Sequence, residues 1–257
     1  MTANPAALQL YSLREQLPAD RPGVLAQVAA LGYGAVELFD ILSDPVGLRA
    51  DLDAAGLSAC SVHAVPAGEQ AEDVVRAART LGADTIIIPY LPPPRFADAD
   101  GVQGVARELN ELAAWTAGQD LRLGYHNHDF ELSSLVGGVP ALEVLADQLD
   151  DTVLLEVDTY WAAVGGQNVP ALLGRLGDRV RYLHVKDGPA VSRDDSMVAV
   201  GSGRMPVAQI LAACPSAEWH VVELDRCATD MMTAVGDSLA WLAAEGLAQP
   251  VTAPRGA

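Results

Sequence analysis

Cysteine is scarce in this chain. There are three, Cys60, Cys214 and Cys227, widely spaced and without a CxxC pair. That excludes a disulfide scaffold and predicts reduced thiols in a cytoplasmic protein. Basic residues are also few, 16 Lys and Arg against 34 Asp and Glu, for a formal charge of −18 at pH 7. Such a balance opposes partners met by a broad basic surface, so neither nucleic acid nor an anionic membrane is expected. No run reaches the ~18 consecutive apolar residues of a membrane-spanning helix. The opening residues, Met1 to Ala7, have neither a basic region nor a long apolar stretch, so no signal peptide is predicted. Also missing are a GxGxxG after the first strand and a GxxxxGK[ST] anywhere, which weighs against a nucleotide-binding open sheet.

What the chain does have is apolar length. Half of its 257 residues are hydrophobic, enough for a large core. Short apolar runs alternate with longer helical patterns nearly to the end. Strands are expected at 7–13, 35–39, 58–64, 85–90, 121 into the segment Gly124–Glu131, 153–159, 180–186 and 219–224. Helices are expected between and after them at 22–31, 46–55, 71–81, 101–117, 140–148, 170–176, 206–213 and 229–244, several closed by a glycine. Eight strand–helix repeats of roughly 30 residues, in a chain near the typical ~250, predict one parallel (β/α)8 TIM barrel. The barrel is expected over 1–248, with a flexible tail at 249–257 that has two prolines and no periodicity.

In such a barrel the carboxyl ends of the strands converge on one point, where chemistry sits. All the expected strands but the first and fourth carry ionisable residues near that end. These are Glu37, His63, His126 with His128, Glu156 with Asp158, His184 with Lys186, and Glu223 with Asp225. Strand alternation sets Asp158 against Leu155 and Val157, His184 against Leu183 and Val185, and Glu223 against Val222 and Leu224. The ionisable set therefore faces the barrel interior. One such residue reads as a buried ion pair or a cap. Several carboxylates buried together need compensation, and a divalent cation supplies it. Asp, His and Glu suit Mn²⁺, Co²⁺, Zn²⁺ or Mg²⁺, and no thiolate lies at these strand ends to select a soft metal.

These residues resemble the sugar phosphate isomerase/epimerase group of xylose isomerase-like barrels over nearly the whole chain. The likeness is carried by Gln9–Arg14, Gly32–Glu37, Gly124–Glu131, Glu156–Trp161, Leu183–Gly188 and Val222–Asp225. Relatives hold one divalent metal through Glu, Asp, His and Glu on the fifth to eighth strands. The last three fall on Asp158, His184 and Glu223. The first is a departure: many relatives read Glu-Asn-His or Glu-Pro-Leu where this chain reads His126-Asn127-His128. Either His126 ligates, or the metal has three protein ligands and extra water. The resemblance also makes Glu223 the leading base and Glu131 a candidate substrate-contacting acid/base group.

The implied chemistry is metal-assisted. A ketose or related keto-sugar would lose a proton to a carboxylate, pass through an enediolate and regain the proton elsewhere. Lys186, inward by parity, is a candidate donor to the developing oxyanion, its bland alternative being a salt bridge to Glu156 or Asp225. Glu37, His63, His128 and Trp161 are candidate substrate contacts, Trp161 as a stacking face for a sugar. The same intermediate could expel a β-substituent, making a dehydratase or lyase acting on an inosose or 3-keto-glycoside. A non-catalytic sugar-binding barrel is the rival of another class. An apurinic-site endonuclease would need a trinuclear cluster and a basic face, which the charge opposes. The sequence is silent on the metal, the sugar and the oligomeric state.

Overall fold

A computed structural model describes residues 4–249. Eight parallel strands form the sheet: β1 (Asn4–Gln9), β2 (Ala35–Leu38), β3 (Ser58–His63), β4 (Thr85–Ile88), β5 (Arg122–His126), β6 (Val153–Asp158), β7 (Val180–Val185) and β8 (Trp219–Val222). Each pairs with the next, and β8 returns to β1 with His220 opposite Ala6 and Val222 opposite Leu8, so the sheet closes on itself. The expected (β/α)8 barrel is the fold.

The outer layer comprises α1 (Leu17–Ala30), α2 (Pro45–Ala55), α3 (Ala71–Leu81), α4 (Ala99–Ala117), α5 (Ala141–Ala146), α6 (Val169–Leu176), α7 (Val207–Ala212) and α8 (Met231–Ala244). Local signals set their ends. The Asp44 carboxylate accepts the Gly47 N–H at the start of α2, with Pro45 at the first helical position. Gly82 ends α3 with φ of 77°, a left-handed conformation that a side chain would strain.

The barrel floor is filled by the buried side chains of Ala7, Ala35, Cys60, Ile87, Tyr182 and Val221. Arg122 plugs the lower end, donating to Glu218 and the Tyr182 hydroxyl. A continuous apolar shell between strands and helices makes the main core. Among the described residues no helix is long and apolar enough to cross a membrane.

Several boundaries differ from expectation. The first strand ends at Gln9, not Leu13, because the Gln9 side chain accepts the Tyr11 N–H at 3.0 Å and turns the chain into a 3-10 segment, Leu10–Leu13. The fifth strand stops at His126, and Phe130–Ser133 forms a helical turn followed by a small hairpin around Gly137-Gly138. A helix at Thr159–Val164 starts directly from β6 because Asp158 caps it, accepting the Trp161 N–H at 2.8 Å. Gln249, expected to open the tail, pairs with β1 in a two-residue strand, and 250–257 lie outside the described residues.

Candidate active site

The inward-facing residues form two tiers that share one side chain, His184. In the upper tier His184 Nδ1 lies 2.8 Å from Glu223 Oε2. The Lys186 ammonium stands in the same tier, 2.7 Å from Asp158 Oδ2, 2.6 Å from Glu223 Oε2 and 2.6 Å from Asp225 Oδ2. In the lower tier His184 Nε2 lies 2.9 Å from Glu37 Oε2 and 3.2 Å from Glu156 Oε2. His63 Nε2 sits between the same two carboxylates at 2.6 and 2.8 Å, and His126 Nδ1 meets Glu156 Oε2 at 2.9 Å. Gln9 and Ser61 also donate to Glu37, both at 2.6 Å.

Nearly all of this is buried, so charges answer to each other and not to water. Burial disfavours the His184 imidazolium, but Glu156, Glu223 and Glu37 outweigh it and hold the ring well above its ordinary range. His63 is likewise pushed up to about 10, with Glu37 and Glu156 overcoming burial. His126 goes the other way, driven down by burial and by the charge on His184. Its Nδ1–H then donates to Glu156, leaving Nε2 unprotonated 3.9 Å from Asp158 Oδ2. Glu37 and Glu223 resist burial and stay well below the usual carboxylate range, Glu37 because of His63 and His184, Glu223 because of Lys186 and His184. Burial wins at Asp158, pushing it up to about 6 against the pull of Lys186.

The expected site residues do not all meet. Asp158, His184 and Glu223 each offer one donor atom, all within 4.8 Å of one another. His126 stands outside that group and joins His63, Glu156 and His184 in the tier below. Glu37 is also in the lower tier, fully buried beneath the histidines, which removes it from substrate contact. Glu131 is the clearest correction. Its carboxylate accepts the Tyr125 hydroxyl at 2.6 Å and the His128 N–H at 2.9 Å, on the helix side of β5. The helical turn after His126 carries it away from the interior. Lys186 bonds to Asp225 as one bland alternative held, but its other partners are Asp158 and Glu223, not Glu156.

A cavity of ≈ 400 Å³ borders both tiers. Tyr11, Phe39, Tyr90 and Trp161 make its walls, and His63, His126, His128 and Glu223 reach it. Burial and the Lys186 charge lower His128 to about 4, so its imidazole is neutral there, stacked on Phe130. The upper tier fits a divalent cation. Its donors are hard oxygens and an imidazole, and Asp158 Oδ2 is buried without a directed hydrogen bond, its contact with Lys186 being ionic.

A family model described as a xylose isomerase-like TIM barrel matches residues 25–244. The chain belongs to this family. A sugar phosphate isomerase/epimerase from Parabacteroides distasonis ATCC 8503 is similar at 24% identity and a TM-score of 0.79, over 97% of this chain and 96% of that one. An L-ribulose 3-epimerase is 14% identical with a TM-score of 0.67, over 95% and 94%. A probable 3-DHS dehydratase, AsbF of Bacillus anthracis, is 13% identical with a TM-score of 0.71, over 93% and 98%. At these identities the likeness is one of fold. No curated protein matches in sequence.

Within this xylose isomerase-like barrel, sequence reasoning missed three contributors. Gln9 and Ser61 fix Glu37, and Ser61 reaches it because an extra residue, Cys60, breaks the β2–β3 register. Asp187 accepts backbone N–H groups from Gly188, Gly201, Gly203 and Met205, folding the loop after β7 against the barrel. A Cβ on Gly203 would lie 2.1 Å from Asp187 Oδ1, so only glycine fits there. One signal was countable: Lys186 is the chain's single lysine, the other 15 of its 16 basic residues being arginine.

Proposed function

We propose that this xylose isomerase-like barrel is a divalent-metal-dependent isomerase or epimerase acting on a ketose or related keto-sugar. The observation that carries the reading is the convergence of Asp158, His184 and Glu223 donor atoms, with Glu223 bordering an aromatic-walled cavity. Family membership supports it, as do fold neighbours described as a sugar phosphate isomerase/epimerase and an L-ribulose 3-epimerase. Asp158, His184 and Glu223 would hold the ion, which when bound supplies Lewis acidity toward a carbonyl and its neighbouring hydroxyl.

The chain's own groups supply the rest. Glu223 is ionised by Lys186 and His184, borders the cavity, and is the proposed base that takes the C–H proton from the hydroxyl-bearing carbon next to the carbonyl. That proton loss leaves the sugar as its enediolate, and Glu223 returns the proton to the neighbouring carbon. Lys186, also held by Asp225 at the cavity, neutralises charge near the developing oxyanion. Tyr11, Tyr90 and Trp161 offer apolar faces to a sugar ring, and neutral His128 exchanges hydrogen bonds with its hydroxyls. Three free thiols agree with the cytoplasmic location we propose.

One observation favours a second reading, a dehydratase or lyase on an inosose or 3-keto-glycoside. With Glu131 turned away, no second glutamate among the described residues lines the cavity with Glu223, whereas His63 is held protonated there. A charged imidazole there is an acid for a departing hydroxyl or glycosyl oxygen. The test is incubation of metal-loaded protein with ketoses, inososes and 3-keto-glycosides in D₂O, read by NMR. Deuterium in recovered ketose supports isomerase or epimerase, and an eliminated product supports lyase. Binding with neither would mark a non-catalytic sugar-binding barrel.

A further inference from the structure

The single lysine of the chain stands where a cation is wanted. Lys186 is 1% exposed, and its ammonium touches Asp158, Glu223 and Asp225 at 2.6–2.7 Å with the Trp161 ring 5.4 Å away. A buried ammonium needs such partners, and three carboxylates around one ammonium exceed the need. The atoms it touches matter more. Asp158 Oδ1 is taken by the Trp161 N–H at 2.8 Å, so Oδ2 is the oxygen left, and Lys186 occupies it. Glu223 Oε2 faces both Lys186, at 2.6 Å, and His184 Nδ1, at 2.8 Å. These are the oxygens a divalent ion would need.

We infer that Lys186 is a tethered internal cation that competes with the divalent ion for Asp158 Oδ2 and Glu223 Oε2. The inference rests on the metal reading above. Two cations cannot share these oxygens in a dry site, because their repulsion is strong where water does not screen it. Asp225 is the partner Lys186 can keep, since it stands outside the three-residue group and its side chain is 25% exposed. Lysine suits the role better than arginine. Its charge is a compact point on a flexible stem, whereas a guanidinium would lock into a bidentate pair. The competition multiplies the apparent metal affinity by the fraction of molecules in which the lysine has let go.

The experiment uses the full chain freed of metal by chelation. Zn²⁺ binding is measured by titration calorimetry on the wild type and on Lys186→Met. The wild type is also labelled with ¹⁵N-lysine, which gives one side-chain resonance because the chain has one lysine. Competition predicts binding at least ~10-fold tighter in Lys186→Met and a lysine Nζ signal that moves as Zn²⁺ saturates the wild type. Zn²⁺ binding by Lys186→Met alone would be the extreme of the same result. Unchanged or weaker affinity in the folded variant, or an unmoved lysine signal at saturation, overturns the competition and leaves the metal reading standing. If Lys186→Met does not fold, the labelled wild type decides. Failure of both proteins to bind Zn²⁺ overturns the metal reading and this inference together.

Discussion

Glu37 and His184, 147 residues apart, meet across the barrel with Oε2 and Nε2 2.9 Å apart. The contact fixes which nitrogen of His184 does what. Nε2–H is committed to Glu37, so Nδ1 is the atom presented to Glu223 and the upper tier.

The first prediction follows from that contact. Glu37→Gln removes the carboxylate that accepts the His184 Nε2–H and orients the ring. Divalent-metal affinity should fall by about 10–100-fold, the usual cost of losing such a partner. Calorimetric titration checks it, and an unchanged affinity would show that the upper tier orients His184 unaided.

Glu223→Gln retains an oxygen for the cation and loses the base. Turnover should drop by about 10²–10⁴-fold while sugar binding stays within roughly tenfold. Near-normal deuterium incorporation from D₂O by this variant would assign proton transfer to another group.

Glu131→Gln should behave differently. The glutamate is fully buried and binds Tyr125 and the His128 backbone, not the cavity. Turnover should stay within a few-fold of wild type, with the effect falling on stability, on the order of 1 kcal/mol for an altered buried hydrogen bond. Steady-state rates alongside thermal melts distinguish the cases. A Glu223-like loss of turnover would restore Glu131 as an acid/base group.

His220 governs a pH dependence far from the cavity. It is buried on β8 between Leu247 O, 3.2 Å from Nδ1, and the Asn4 amide, 3.3 Å from Nε2. Burial lowers its pKa to about 4, below the ~6.5 of an unfolded histidine. The folded chain therefore takes up this proton less readily than the unfolded one. The stability contributed by neutral His220 is present above ~6.5 and is lost as pH falls toward 4. Up to about 3 kcal/mol rides on this group. Denaturant melts from pH 4 to 7 should show a shallower slope in His220→Gln than in wild type, and parallel slopes would refute the assignment.

The alternation of polar and apolar residues determined, from sequence alone, which way side chains face. Asp158, His184 and Lys186 point inward because successive residues on a strand take opposite sides, a rule that needs only the local chain. Helix ends such as Gly56 and Gly82 were legible for the same reason, since a left-handed cap is satisfied by its own backbone neighbours. Which inward residues meet was left to the tertiary structure. Stagger between strands, with register breaks at Val36/Glu37 and Leu155/Glu156, sets the height of each side chain along the barrel axis. That height keeps His126 out of the Asp158–His184–Glu223 group although it meets His184 beside Glu156, seats Lys186 among three carboxylates, and brings Glu37 to His184. Glu131 was diverted by the helical turn after His126, which gave its carboxylate nearer donors in Tyr125 and the His128 backbone than the interior offered. Facing is a local property of a strand, whereas height and partnership exist only once the sheet has closed.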